Sequence, residues 1–393
     1  MKYLVVVPDG AADKPLPELE NKTPLQTARK PNIDALAARA RVGMARMVPE
    51  NMEAGSDVAI MSVMGYDPRQ YYTGRGPLEV ASLNIALEKN DVAFRCNLVT
   101  IKGDILADYS SGHITTEEAK VLINMVDSRL GSKKIKFYPG TGYRHLMVWR
   151  GGPSGINGTP PHNIVGKPYK EYLPTGTGKT EVTRLMEISK LLLEGHEINR
   201  LRRSQGRNSA NMIWLWGAGK APAIPTFQQR FNLEGGVISA VDLIKGLGRY
   251  AGLEPVNVHG ATGYYDTDYN AKAEAAIKIL KKKNFCLVHI EATDEAGHNG
   301  ETAEKIRAIE NLDEKIVGPV LSFLEKSGEY RVMILPDHPT PISIKAHSAD
   351  PVPWMMAGAG ITASGVDSWN ESTCASGEMV EEGYKLIETL VNQ

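Results

Sequence analysis

This sequence predicts an α/β fold. The expected sheet is parallel-rich with helices on both faces, and a smaller α/β domain is inserted into it. Three observations lead there. Continuous apolar runs at 3–7, 285–290, 332–335 and 352–356 read as strands buried on both faces. Segments of helical period stand among them, at 31–40, 240–251, 271–282, 303–313 and near 378–391. Between about 94 and 222 the pattern changes. Strand-like pieces at 93–101, 144–149 and 211–216 alternate less cleanly, and Gly/Pro-rich loops such as GGPSGINGTPP separate them. The first domain is therefore expected to be discontinuous, 1–93 plus 223–393, with 94–222 inserted.

The chain of 393 residues has a formal net charge of −1. No overall basic field points to nucleic acid, and the run Lys281-Lys282-Lys283 reads as a solvated helix end. Three cysteines, Cys96, Cys286 and Cys374, stand far apart without a CxxC pair. That suits free thiols in a reducing compartment. The opening MKYLVVVPDG is too short and too broken for a signal peptide. No window approaches the ~18 apolar residues of a membrane span. The expectation is a cytoplasmic protein with neither membrane nor nucleic-acid partner.

Chemistry-bearing residues follow the apolar runs. Run 3–7 is followed by Pro8-Asp9-Gly10, run 285–290 by EATDEAGH, and run 332–335 by PDHPTP; KAHSADP precedes run 352–356. Ligands of open α/β sheets gather at the carboxyl ends of strands. Singly, Asp9 reads as the start of an Asp-Gly turn, Asp294 as a cap and His338 as a loop residue. Jointly, three carboxylates (Asp9, Asp294, Asp337) and three histidines (His298, His338, His347) converge on one edge. Asp294 and His298, four apart, share a helical face. Mixed Asp and His donors suit a divalent transition ion, and six donors suit two ions, a pairing that serves phosphoryl transfer.

Two glycine-containing stretches need separate treatment. GSDVAIMS at 55–62 reads as a helix start with Ser56 as its N-cap. TGTGKT at 175–180 resembles a phosphate loop, but Leu173 stands where that motif needs a glycine and no buried strand precedes it.

With these residues in view, the chain resembles the cofactor-independent phosphoglycerate mutases of the archaeal type, within the alkaline phosphatase superfamily. The segments that carry the resemblance include VVVPDGAAD, KTPLQTARKPNIDALA, GSDVAIMSVMGYDP, YYTGRGPLEVAS, EATDEAGHNG and LPDHPTP…HSADPVP, spread over nearly the whole length. The resemblance implies an alkaline-phosphatase-like catalytic domain and an inserted substrate-binding domain that closes over the site. It implies that Asp9, Ser56, Asp337 and His338 hold one metal and that Asp294, His298 and His347 hold a second. Mn²⁺ is the first expectation, with Zn²⁺, Co²⁺ or Mg²⁺ as alternatives. Ser56 is implied as the nucleophile that carries the phosphoryl group between the hydroxyls of 3- and 2-phosphoglycerate.

Such a substrate needs cations. Arg75, Arg95, Arg144, His145 and Lys245 are the candidates, and for each a surface ion pair is an equal reading. One departure bears on the substrate. Archaeal members commonly carry Asp-Arg-Arg-Ala-Gly-Arg-Ile in the insert, and here the stretch is DYSSGHI at 108–114. Tyr109, Ser110 and His113 replace three arginines. This version resembles a bacterial subgroup proposed to phosphorylate homoserine, so an ATP-dependent homoserine kinase is the alternative expectation.

Overall fold

The structure, a computed structural model, describes residues 1–392. By contacts the chain forms two compact units, Met1–Tyr72 with Ala223–Gln393, and Thr73–Pro222.

The first unit is built on an eight-stranded sheet. Its order is Glu254–Val256, Gly235–Ile238, Phe285–Ile290, Lys2–Pro8, Tyr330–Ile334, Val352–Gly358, Ala40–Ala45 and Glu378–Val380. The first five strands run parallel. Val352–Gly358 runs antiparallel to both of its neighbours, so Ala40–Ala45 again points the way of the parallel set. Leu4, Val5, Val6 and Val7 are each 0 % exposed, as a strand covered on both faces requires. Helices Tyr269–Lys282 and Thr302–Leu312 contribute Ala276, Leu280, Ile309 and Leu312 to the core that includes Leu4, Val6 and Val288.

Two expected helices need correction. The one at 31–40 ends at Ala37, and Ala40 already belongs to a strand. That strand, ARVGMA, follows the helix after only two residues and has a single charged side chain, Arg41, so its start reads as a continuation of the helix. The helix near 378–391 is in fact a short strand, Glu378–Val380, and a later helix, Leu386–Asn392. Edge pairing with Ala40–Ala45 decides the strand, and no local periodicity announces it.

The second unit holds an antiparallel sheet of Ile105–Asp108, Val92–Lys102, Arg144–Trp149 and Ile135–Tyr138, with Met212–Gly219 also paired to Val92–Lys102. Helices Thr116–Leu130 and Lys179–Glu194 pack Leu122, Val126, Leu185 and Met186 into its core. Helix Arg75–Ser82, given to the first domain by the sequence reading, lies in this unit because Gly76 packs against the backbone of Ala93 and Gly217. The TGTGKT stretch forms two strand residues, Thr175–Gly176, and an exposed turn into the helix at Lys179.

Candidate active site

One sheet edge of the first unit collects the candidate residues, and the strand directions explain why. Strands Lys2–Pro8, Phe285–Ile290 and Tyr330–Ile334 end there, delivering Asp9, then Asp294, then Asp337 and His338. Val352–Gly358 runs the opposite way, so the loop before it, with His347, starts from the same edge. Ala40–Ala45 ends at that edge too, ahead of the helix Ser56–Val63. Asp294 and His298 lie in the first and last turns of helix Ala292–Asn299, with His298 Nε2 3.3 Å from Asp294 Oδ2.

The structure corrects the role of Ser56. Gly55 is the N-cap, Ser56 is the first helical residue, and no side chain caps this helix. A side chain at Gly55 would meet Asp57 Oδ1 at 2.8 Å, so glycine takes the cap position. The Ser56 hydroxyl is turned outward instead, with Oγ 3.2 Å from His338 Nε2. Residues 57–63 of the helix are all buried, which makes it a rigid mount for that hydroxyl.

His338 Nε2 also lies 3.6 Å from Asp9 Oδ1 and 3.5 Å from Asp337 Oδ2. Asp337 is held by Gly10 N at 3.2 Å and its own neighbour His338 N at 2.9 Å, both donating to Oδ1. Asp337 Oδ2 and both oxygens of Asp9 are buried with no hydrogen-bond donor. Burial, then the charges of Asp337, Asp294 and Glu291, push the Asp9 carboxyl well above its ordinary range. Three buried carboxylates facing one another call for a cation.

The second donor group makes the same demand by a different route. His298 Nδ1 faces Lys345 O at 3.1 Å, and His347 Nδ1 faces Ala54 O at 3.2 Å. A carbonyl only accepts, so each Nδ1 carries the ring proton and each Nε2 turns a lone pair inward. The two Nε2 atoms stand 2.9 Å apart, and Asp294 lies against both. Protons fill the gap when no metal does. The hydrogen bond with Asp294 raises His298 to about 9, and Asp294 also raises His347 against the opposing effect of burial. Burial opposes ionisation of Asp294, but hydrogen bonds from His298 and His347 outweigh it and hold the carboxyl well below its usual range. Asp294, His298 and His347 form one cluster able to hold an ion, and Asp9, Asp294 and His338 form another. The residues present fit a bound divalent metal.

Two residues of this site escaped the sequence reading. His289, 0 % exposed, places Nε2 3.0 Å from Asp9 Oδ2 and Nδ1 3.3 Å from Ser239 Oγ. Burial pushes it down to about 3, so the ring is neutral. Within FCLVHI it passes for strand interior, and only its place two residues before Glu291 hinted at more. Thr340 donates to Asp294 and lies 3.3 Å from His338 Nδ1.

The expected substrate cations separate into two sets. In the second unit, Arg75 Nε and Arg95 Nε lie 3.3 and 3.0 Å from the two carboxylate oxygens of Glu79. Arg95 is 7 % exposed with its guanidinium 4.6 Å over Trp216, and burial lowers it to about 10. Arg144 is exposed, stacks 5.0 Å over Tyr143, and feels the charges of both Glu79 and Arg75. Two guanidiniums thus share the Glu79 carboxylate, and that of Arg144 feels its charge. His145 does not join them. It is 1 % exposed, accepts a hydrogen bond from Gly140 N at 3.0 Å, and is pushed by burial down to about 3. A neutral buried ring closes a turn and brings no charge to an anion. In the first unit, Lys245 lies 3.8 Å from Asp242 Oδ1. Its charge also bears on fully buried Lys272, which burial lowers to about 8 with Glu291 opposing.

The fold and the donor set define the class: an α/β enzyme built around carboxylate and imidazole donors suited to divalent metals. The family model for 2,3-bisphosphoglycerate-independent phosphoglycerate mutase matches residues 37–199. A protein of Geobacter sulfurreducens called a probable 2,3-bisphosphoglycerate-independent phosphoglycerate mutase is 47% identical over 100% of both chains. The mutase of Methanothrix thermoacetophila is 49% identical over 99% of this chain and 97% of its own. Among solved structures, the PH0037 protein of Pyrococcus horikoshii is similar at a TM-score of 0.84 and 29% identity, over 99% of this chain and 96% of that one. The cofactor-independent phosphoglycerate mutase of Thermoplasma acidophilum is similar at a TM-score of 0.67 and 27% identity, over 99% of each chain. This chain belongs to the 2,3-bisphosphoglycerate-independent phosphoglycerate mutase family.

Proposed function

We propose that this protein interconverts 3- and 2-phosphoglycerate through a phosphoserine on Ser56. One observation supports it above the rest: a serine hydroxyl released from capping, on a buried helix, 3.2 Å from an imidazole that borders both donor groups.

Asp9, Ser56, Asp337 and His338 would hold one ion, and Asp294, His298 and His347 a second, with Mn²⁺ the expected metal. Bound there, the ions supply positive charge that favours the serine alkoxide and neutralises the transferring phosphoryl oxygens. Ser56 Oγ attacks the phosphorus as its proton leaves. The bond from phosphorus to the glycerate oxygen breaks, and that oxygen takes up a proton. The reverse sequence at the neighbouring hydroxyl releases the isomer, so no phosphate is consumed. The amide ends of helix Ser56–Val63 add positive partial charge beside the phosphoserine. Arg75, Arg95 and Arg144 supply guanidiniums for the anionic groups of the substrate, and Lys245 supplies a further cation.

The kinase alternative rested on DYSSGHI. There Asp108 accepts from Ser110 N, Ser110 Oγ and Gly112 N at 2.6–2.7 Å, and Ser111 Oγ donates to Leu98 O. These bonds give Asp108 and the two buried serines a structural task that needs no new substrate. One Mn²⁺-loaded sample tests both readings, given 3-phosphoglycerate without ATP and, separately, homoserine with ATP. Formation of 2-phosphoglycerate and of acid-stable phosphoserine, both lost in Ser56→Ala, supports the mutase. ADP formed only when homoserine is present would overturn it.

A further inference from the structure

We infer that Thr340 is a positioning residue whose single hydroxyl ties the two metal-donor groups together. The inference rests on the metal-binding reading above and adds to it a residue that is not itself a donor.

Thr340 is 0 % exposed. Its hydroxyl has one proton, which it donates to Asp294 Oδ1. What it then offers His338 Nδ1, 3.3 Å away, is a lone pair. His338 Nδ1 must therefore carry the ring proton, and Nε2 is left with its lone pair turned to Ser56 Oγ and Asp9. One hydroxyl thus orients Asp294, which both clusters share, and sets the tautomer of His338.

The surroundings are built to hold that hydroxyl in place. Thr340 N donates to Gly10 O at 3.2 Å, and Thr340 O accepts from Lys305 Nζ at 2.9 Å. Lys305 is itself fixed by Asp13 at 2.7 Å, and Asp13 accepts from Ile342 N at 3.2 Å. Pro339 and Pro341 restrict the backbone on either side. Two glycines make the room. A Cβ at Gly10 would fall 2.5 Å from Thr340 Oγ1, and a Cβ at Gly297 would fall 2.8 Å from Thr340 Cγ2. The glycines of the PDG and EAGH stretches thereby gain a shared purpose.

The test compares Thr340→Val, which keeps the shape and removes the hydroxyl, with Thr340→Ser, which keeps the hydroxyl. Full-length, metal-stripped protein is titrated with Mn²⁺ by calorimetry, and melting in chelator reports folding. The expected result is a loss of about 10–100-fold in Mn²⁺ affinity at both binding events in the valine variant, the range seen when partners of metal ligands are removed. Thr340→Ser should restore most of it. Should Thr340→Val fail to melt cooperatively, Thr340→Ala set against Thr340→Ser makes the same comparison. Wild-type affinities in the hydroxyl-free variant would overturn the proposal. So would a loss confined to one event, or an equal loss in the serine variant. Wild-type protein that takes up no Mn²⁺ would instead overturn the metal-binding reading, and this inference with it.

Discussion

His298 Nε2 and His347 Nε2 stand 2.9 Å apart, each with its other ring nitrogen against a backbone carbonyl. Two ring nitrogens and the Asp294 carboxylate then face one small volume, which suits a metal and is filled by protons without one. Mn²⁺ at 100 times its Kd should raise unfolding stability by about 2.7 kcal/mol per site. Chelator should reverse the gain and abolish turnover. His347→Ala should lower Mn²⁺ affinity at least about 10-fold, read by calorimetry. Stability that ignores added Mn²⁺ would count against the site.

Ser56 carries no capping bond, so its removal separates chemistry from stability. In chelator, Ser56→Ala should unfold in urea within about 0.5 kcal/mol of wild type, as at a position without a structural task. Loss of a true cap would cost about 1 kcal/mol. Turnover of 3-phosphoglycerate should fall by about 10⁴-fold or more, as for other serine nucleophiles that act as a unit with their neighbours.

The buried pair Lys305–Asp13 supports the loop that carries His338 and Thr340. Lys305→Ala leaves the Asp13 carboxylate buried without its ammonium and should destabilise by about 3–5 kcal/mol in urea unfolding. Adding Asp13→Asn should recover part of that, because the uncompensated charge is gone. An effect under about 1 kcal/mol for the single variant would show that water reaches the pair.

His145 makes the second unit acid-sensitive. Burial lowers its folded pKa to about 3 from an ordinary 6.5. Between those values the unfolded chain binds a proton that the folded chain refuses. Stability from this group is therefore complete above about 6.5 and lost as pH falls toward 3, with a slope of up to about 1.4 kcal/mol per pH unit. His145→Asn retains an acceptor for Gly140 N and cannot take that proton. Urea unfolding at pH 7.5 and 4.5, in chelator, should show a smaller drop for the variant than for wild type.

Much of the site was legible in the chain because strands covered on both faces are continuous apolar runs, and such runs show where they end. Asp9, Asp294, Asp337 and His338 each stand just beyond one. The i,i+4 spacing of Asp294 and His298 was equally plain, since helix geometry alone puts them on one face. His289 was hidden because an imidazole inside FCLVHI follows the same pattern as its apolar neighbours. Thr340 was hidden because a threonine between prolines reads as loop.

Local pattern determined the α/β class, the three central parallel strands and the acids and histidines that follow them, for these depend on hydrophobic period and covalent spacing. Only the tertiary structure decided the rest. The antiparallel course of Val352–Gly358 brings His347 to the common edge, and the strand Ala40–Ala45 exists because Val352–Gly358 and Glu378–Val380 pair with it on either side. Gly55, not Ser56, caps its helix, a one-residue difference set by packing around Asp57. Arg95 and His145 were both read as anion binders. Burial lowers both, but Glu79 beside Arg95 opposes the loss of its charge, whereas burial leaves His145 neutral. The physical reason is common to all four: strand partners, close approach and desolvation arise between residues distant in sequence, so no local window contains them.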